Sequence, residues 1–279
     1  MRSIMMIVNE KREDAAKLAS QVQAALEERE IVVVGAESDR DVELVLVFGG
    51  DGTILWSAQA ARERSVPLLG VNLGHMGFLA EAEVSSLESL VDRVAAADYA
   101  VEERMTLELD VQMPDGSVQH DWAINEAAIM RTDLAHPAHF GIGVDGQGVS
   151  TYGADGIILS TPTGSTAYSY SAGGPVVWPD TEAVLMAPLA AHGLFTRPLV
   201  VGPNSELEVS ILKHQWADIE VWCDGIRRIT TPAGTRILCR PSKVPVKLAR
   251  LSDTPFSARL VAKFDLPVSG WRRLGLEES

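Results

Sequence analysis

Hydrophobic positions follow two rhythms along this chain. In the first hundred residues, short β-branched runs alternate with helical stretches. Residues 4–8 are a short apolar run that predicts a strand. Residues 13–28 predict an amphipathic helix, with Ala15, Leu18, Val22 and Leu26 on one stripe. Residues 31–34 predict a second strand, and the polar, acidic stretch 35–43 a loop. A buried strand is expected at 44–48, a helix at 54–64 through Ile54, Leu55, Ala58 and Ala61, a strand at 66–71 and a helix at 85–97. Strands alternating with helices predict a parallel, doubly wound sheet with ligands at the carboxyl ends of its strands.

Near Tyr99 the rhythm changes. Leu107, Leu109 and Val111 alternate with polar residues, and 118–130 continues in extended style. Pro114-Asp115-Gly116-Ser117 and Asp145-Gly146-Gln147-Gly148 read as turns. Residues 207–212, 219–222 and 244–248 are short strand-like runs broken by Pro and Gly. This half predicts a sandwich of short strands. The expected fold is therefore α/β plus β: a doubly wound α/β domain over 1–100 and a β-sandwich domain over 101–251. Residues 257–264 look helical again, and the tail 252–279 is expected to pack back on the first domain.

The chemistry starts at 45–53, V-L-V-F-G-G-D-G-T. A buried strand, a glycine turn and a helix start make a backbone cup for phosphate. Gly49, Gly50 and Gly52 let the main chain approach an anion and adopt positive φ. The first N–H groups of the next helix lack internal acceptors, and its dipole favours negative charge there. Asp51 repels phosphate, so its place in the cup needs a reason. It would take the proton from an attacking substrate hydroxyl or hold a metal carried in by the phosphates. The plainer alternative is a tight turn in which Asp51 bonds backbone N–H groups.

Composition narrows the partners. The chain has 279 residues, is 46% hydrophobic and carries a net charge of −14. No basic stripe appears, which argues against nucleic acid and anionic membranes as partners. The apolar start within 1–10 is too short for a secretory signal, and no apolar stretch reaches membrane-spanning length. Cys223 and Cys239 are the only cysteines. A reduced, cytoplasmic protein is expected.

Three further stretches bear on chemistry. Residues 152–175 hold an uncharged segment with Ser160, Thr161, Thr163, Ser165, Thr166, Ser169 and Ser171 beside Tyr168 and Tyr170. Many small donors, glycines and an aromatic face suit a neutral purine and ribose hydroxyls; a hydroxyl-rich surface loop is the alternative. Asp155 would receive a hydroxyl or amide, or cap a turn with Gly156. Asn125 and Glu126 interrupt an apolar extended run. Asn suits an adenine edge and Glu two ribose hydroxyls, but on the residues alone one buried and one solvent-facing polar side chain is the favoured reading. His136 and His139 have metal-like spacing without a second ligand pair, which favours a surface loop. His75, in the glycine loop after a strand, would support a site or, as the favoured reading, be structural, and Asp224-Gly225 reads as a hairpin turn. The chain lacks a P-loop motif and a G-x-G-x-x-G after a strand.

Taken together and in order, these stretches resemble the bacterial NAD kinases. The resemblance rests on Gly49-Gly50-Asp51-Gly52-Thr53, Asn72-x-Gly74-His75-x-Gly77-Phe78-Leu79, Asn125-Glu126, Asp155-Gly156, residues 160–168 and Gly173-Gly174-Pro175. G-G-D-G-T alone also occurs in phosphofructokinases and diacylglycerol-type lipid kinases. Trp178-Pro179-Asp180 and the ending 266–271 resemble the actinobacterial branch.

The resemblance implies transfer of a phosphoryl group from ATP or polyphosphate, with Mg²⁺, to the 2′-hydroxyl of the adenosine ribose of NAD. It implies that Asp51 is the proton acceptor, and that Gly49, Gly50, Gly52 and Thr53 bind the phosphate donor without a dedicated protein metal site. NAD would be bound by Asp51, Gly52, Phe78, Asn125, Glu126, Thr163, Thr166, Ala167, Tyr168 and Ser171. Asp155 would reach the nicotinamide half across a subunit interface of a dimer or tetramer. Many members of that family carry a basic residue where this chain has Gly153. The rival expectations are a lipid or sugar kinase built on the same cup, and a non-catalytic NAD(P)-binding sensor.

Overall fold

The computed structural model describes residues 1–71, 77–80 and 86–267. The chain forms two compact units, 1–103 with 246–279, and 104–245.

The first unit is built on one six-stranded sheet. Its strands lie in the order Val32–Val34, Ser3–Val8, Leu44–Phe48, Leu68–Val71, Val246–Arg250, Ala100–Arg104. Helices cover both faces, so the central strands are apolar throughout rather than alternating. Ile4, Met6, Leu44, Leu46, Phe48, Leu69 and Val71 join the helices Glu13–Glu27 and Leu87–Ala95 in one apolar cluster. The helix Asp51–Arg64 packs on the other face. Gly70 makes that packing possible, because a Cβ there would lie 2.2 Å from Ile54 Cδ1.

The second unit is a β-sandwich. One antiparallel sheet runs Gln147–Ala154, Ala138–Val144, Leu207–Ile211, Arg236–Pro241, Leu107–Gln112, Val118–Ala123. The other runs Leu199–Val201, Val184–Leu189, Gly156–Ser160, Glu126–Arg131, Ile219–Cys223, Arg227–Thr231. Alternate residues of both sheets meet in one core around Phe140, Ile129, Ile157, Val209 and Val221.

Three sequence expectations change. The run expected at 244–248 does not continue the sandwich: Val246–Arg250 joins the first sheet, parallel to Leu68–Val71. The run 118–130 is not one strand. It ends at Ala123 in the first sandwich sheet and resumes at Glu126 in the centre of the second, so Ile124 and Asn125 form the crossing. The second helix begins at Asp51 rather than Ile54, with extended Gly50 as its N-cap. The helix expected at 257–264 is present as Phe256–Phe264.

Candidate active site

The glycine cup expected to hold phosphate forms where the buried strand Leu44–Phe48 hands over to the helix Asp51–Arg64. Gly49 is needed for packing, because a Cβ there would meet Thr53 Oγ1 at 2.5 Å. A Cβ on Gly50 or Gly52 would meet nothing within 4 Å. These two glycines face open space at the start of the helix. The expected positive φ is absent: none of Gly49, Gly50 and Gly52 is among the residues with that conformation. Their use is close approach, not an unusual backbone.

A cleft of about 1060 Å³ opens at this helix start, lined by Gly50, Gly52, Thr53 and Trp56 and by Asn9, Lys11 and Arg12 after the first strand. The side chain of Asn9 donates to Thr53 Oγ1 at 3.3 Å, tying the two strand ends together. Lys11 lines the cleft beside Glu10, and Arg12, also in the lining, is paired with Asp14 at 2.6 Å. The hydrophobic pattern offers no signal for them, since they sit in a short turn and reach the cup only through the neighbouring parallel strand.

Asp51 occupies the first turn of its helix, where the dipole favours a carboxylate. It bonds backbone as the plainer alternative anticipates. Phe78 N donates to Oδ2 at 3.1 Å, and Leu79 N and Ala80 N donate to Oδ1 at 3.2 and 3.4 Å. These donors come from a remote segment, not from a local turn. Gly77 lies against the carboxylate, and a Cβ there would sit 2.2 Å from Oδ1. Asp51 nevertheless stays half-buried rather than sealed. Phe78 packs on Phe256 and Phe264, with ring centroids 5.7 and 6.0 Å away. Asn72, Gly74 and His75 lie outside the described residues, as does the tail beyond Pro267.

In the second unit, the crossing at Ile124-Asn125 and the hydroxyl-rich loop form one structure. Thr161 N donates to Asn125 O at 2.9 Å and Thr161 Oγ1 to Ile124 O at 2.6 Å. Gly164 presses on the Asn125 carbonyl, which a Cβ would meet at 2.1 Å. Ser160 pairs with Glu126 across the strands. The loop's hydroxyls are divided between two tasks. Ser160, Thr161 and Ser165 are buried and spent on backbone groups. Thr163 is buried and accepts from Arg104 at 3.4 Å. Thr166, Ala167 and Tyr168 are partly exposed and Ser171 is exposed.

Asn125 is buried, and Glu126 is not the solvent-facing partner that strand alternation suggests. Burial first, and the charge of Asp224 second, push the Glu126 carboxyl up to about 7. Its Oε2 has no hydrogen-bond partner among the described residues.

The sequence reading missed Asp224. It does sit in the turn between Ile219–Cys223 and Arg227–Thr231, with φ 53°. Its side chain, however, is fully enclosed and accepts from Ile124 N at 3.0 Å, Asn125 N at 2.7 Å and Glu126 N at 3.3 Å. Burial raises its pKa, and those three N–H bonds oppose the rise. The Arg227 guanidinium lies 3.6 Å away, held by Asp121 at 2.8 Å and stacked over Trp122. Asp224 thus fixes the main chain that presents Asn125 and Glu126.

Asp155 is not part of this cluster. It lies just before the strand Gly156–Ser160, whose far end faces Glu126, so roughly 16 Å of extended chain separates it from Ser160. Its carboxylate pairs with Arg131 at 2.7 Å. Gly153 leaves its side-chain position beside the His139 ring, 3.6 Å from where a Cβ would be. His136 stacks on Trp216 at 4.1 Å and contacts Asp133, a surface arrangement. Among the described residues no three His, Cys, Asp or Glu side chains gather as a metal site, and no helix is long and apolar enough to cross a membrane.

Comparison with known proteins places both halves. Residues 8–99 match the ATP-NAD kinase N-terminal domain and residues 124–251 the ATP-NAD kinase C-terminal domain. The chain belongs to the NAD kinase family. It is 51% identical over 243 residues to the NAD kinase of Leifsonia xyli subsp. xyli, covering 87% of this chain and 80% of that one. It is 53% identical over 230 residues to NAD kinase 2 of Streptomyces coelicolor, covering 82% and 76%. Among solved structures, an NAD kinase from Archaeoglobus fulgidus in complex with ATP matches with a TM-score of 0.72 and 28% identity, over 89% of this chain and 93% of that one. Yeast NADH kinase complexed with NADH shares the fold at a TM-score of 0.86, with 22% identity, over 96% and 89%. The family sets the order of the two halves seen here, α/β first and antiparallel β second.

Proposed function

We propose that this NAD kinase family member transfers a phosphoryl group from ATP, or from polyphosphate, to the 2′-hydroxyl of the adenosine ribose of NAD, giving NADP. The first unit carries the donor phosphates and the proton acceptor, and the second recognises NAD. The observation that carries the reading is Asp51. It is a part-buried carboxylate, held in orientation by three amides, at a helix start whose neighbours Gly50 and Gly52 are open to an incoming group.

A secondary hydroxyl is a weak nucleophile at neutral pH, so a positioned carboxylate is useful. Proton acceptance of this kind is typically worth about 10²–10⁴-fold. The helix N–H groups, with Lys11 in the cleft, would offset the charge of the donor phosphates. The donor set at the cup, one carboxylate and the phosphates' own oxygens, suits Mg²⁺ arriving with the donor. Mg²⁺ would add charge neutralisation at the phosphoryl group. Asn125 and Glu126 would hold the adenosine, and Thr163, Thr166, Ala167, Tyr168 and Ser171 would line its pocket. Phe78, in the first unit, would add an aromatic contact to the bound NAD. The separation of Asp155 from Glu126 supports a role toward the dinucleotide of a neighbouring copy in a homo-oligomer. A cytoplasmic setting fits a substrate pool of NAD and ATP.

The test is an assay of purified protein with NAD, Mg²⁺ and a panel of donors, read out by an NADP-specific dehydrogenase. NADP formation dependent on a donor is the expected result. NAD binding without NADP formation from any donor would leave a sensor, not an enzyme.

A further inference from the structure

The segment Phe78–Ala80 is gripped from both sides. Its N–H groups point at Asp51, and its carbonyls point at two arginines from the returning C-terminal part of the same unit. Arg250 Nη2 donates to Phe78 O at 3.4 Å and Arg250 Nη1 to Leu79 O at 2.9 Å. Arg259 Nη1 donates to Ala80 O at 2.9 Å. Arg250 and Arg259 are only 7% and 5% exposed. Burying two guanidinium groups is costly unless their donors find strong partners. Arg250 also pairs with Glu102 at 2.9 Å.

We propose that Arg250, aided by Arg259, is a positioning residue for Asp51 that acts through the main chain of Phe78–Ala80. The reason lies in which atoms share a peptide unit. Phe78 O belongs to the same peptide as Leu79 N, and Leu79 O to the same peptide as Ala80 N. Those two nitrogens donate to Asp51 Oδ1. A guanidinium on each carbonyl polarises the N–H at the other end of that peptide, so each bond to the carboxylate strengthens. The chain guanidinium, peptide, carboxylate is thus built twice in parallel. It fixes the direction of the Oδ1 lone pairs, and with them the direction from which a hydroxyl proton can be taken. Arg259 anchors the last carbonyl so that the segment cannot rotate away. The last sheet strand and the helix Phe256–Phe264 therefore contribute to turnover without touching substrate.

The inference rests on Asp51 being the proton acceptor. Its test uses the whole enzyme with Arg250→Lys and Arg250→Met, assayed for kcat and for the KM of NAD. Melting temperature and NAD binding by calorimetry are recorded alongside, and kcat is referred to the concentration of NAD-binding sites. Wild-type enzyme that forms no NADP removes the functional reading and this inference together. With active wild type, Arg250→Met is expected to lose at least tenfold in kcat while the KM of NAD stays within twofold. Arg250→Lys, which keeps the charge but loses the two-pronged fork, is expected between the two. A merely structural arginine would lower the melting temperature and leave the kcat of the surviving sites unchanged, and that result overturns the proposal. So does a rise in KM at constant kcat. If Arg250→Met does not fold, Arg250→Lys decides alone: two- to fivefold lower kcat supports the proposal, and unchanged kcat overturns it.

Discussion

Replacing Glu126 by Gln tests how the second unit is built around the proposed NAD site. Glu126 pairs with Ser160 across the strands, and its carboxyl accepts from the backbone of Tyr168, with Asp224 as its charged neighbour and Arg227 and Asp121 behind Asp224. Burial, then the Asp224 charge, moves its pKa from 4.5 to about 7, and the Tyr168 N–H opposes that shift. In the unfolded chain the group titrates near its ordinary value. Between those two pH values the folded chain keeps a proton that the unfolded chain has released. Stability therefore falls as pH rises through this window, and the full loss is present above it. At about 1.36 kcal/mol per pH unit, the gap amounts to about 3 kcal/mol. Glutamine cannot ionise, so Glu126→Gln removes this part of the slope. Urea unfolding of both proteins at pH 4.5 and pH 8.5 measures it. Wild type is expected to lose about 3 kcal/mol more than the variant between the two conditions. Asp224, also raised by burial, contributes a slope of the same sign to both proteins, differing between them only by its coupling to Glu126. Parallel stability profiles would refute the reasoning, because they would mean that Glu126 is ionised and hydrated in the free chain. The same ionisation bears on NAD: a carboxylate that accepts ribose hydroxyls must be charged, so the KM of NAD should fall as pH rises through about 7 in wild type and stay flat in Glu126→Gln.

Three further predictions follow from the two clamped aspartates. Asp51→Asn should fold and bind NAD but lose about 10²–10⁴-fold in kcat; full turnover would remove Asp51 from the mechanism. Gly77→Ala puts a methyl 2.2 Å from Asp51 Oδ1 and should lower kcat about tenfold or more, one order being about 1.4 kcal/mol of barrier, with the KM of NAD little changed; unchanged kcat would show that the carboxylate adapts freely. Asp224→Asn turns an amide NH₂ toward a set of N–H donors, should cost about 1–3 kcal/mol in urea unfolding, and should shift the acid limb of the NAD KM profile to lower pH by removing a charge beside Glu126. An unshifted profile would separate Asp224 from recognition.

Much of the fold is legible locally and some of it is not. The alternation of strands and helices in the first hundred residues is readable because each helix buries one stripe and each central strand buries both faces. The last sheet strand, Val246–Arg250, carries the same short apolar signature whether it closes a sandwich or joins the sheet of the first unit. Only its partner Leu68–Val71, far away in sequence, decides. The break at Ile124-Asn125 is hidden for a similar reason. Those residues continue an apolar run, and what bends the chain there is Asp224, placed 99 residues beyond Asn125. The hydroxyl-rich loop announces itself by composition, but composition does not divide the hydroxyls. Ser160, Thr161 and Ser165 serve the Asn125 crossing and Val177, whereas Thr166, Tyr168 and Ser171 reach the surface.

The harder distinction is between Asp51 and Asp224, because each accepts three consecutive backbone N–H groups from a distant segment. That bonding pattern describes a brace, and both residues are braces. What separates them is access. Asp224 has no exposed side-chain surface and an arginine 3.6 Å away, so no hydroxyl can reach it and its charge acts only on Glu126 and on the chain it holds. Asp51 sits at a helix start with empty space beside Gly50 and Gly52. Its two oxygens offer about four lone-pair sites and spend three on amides, which leaves one to receive a proton. The two Asp→Asn variants should therefore fail differently, Asp51→Asn in kcat and Asp224→Asn in KM. Identical kinetic profiles from the two would show that access does not divide these carboxylates, and Asp51 would then be a brace as well.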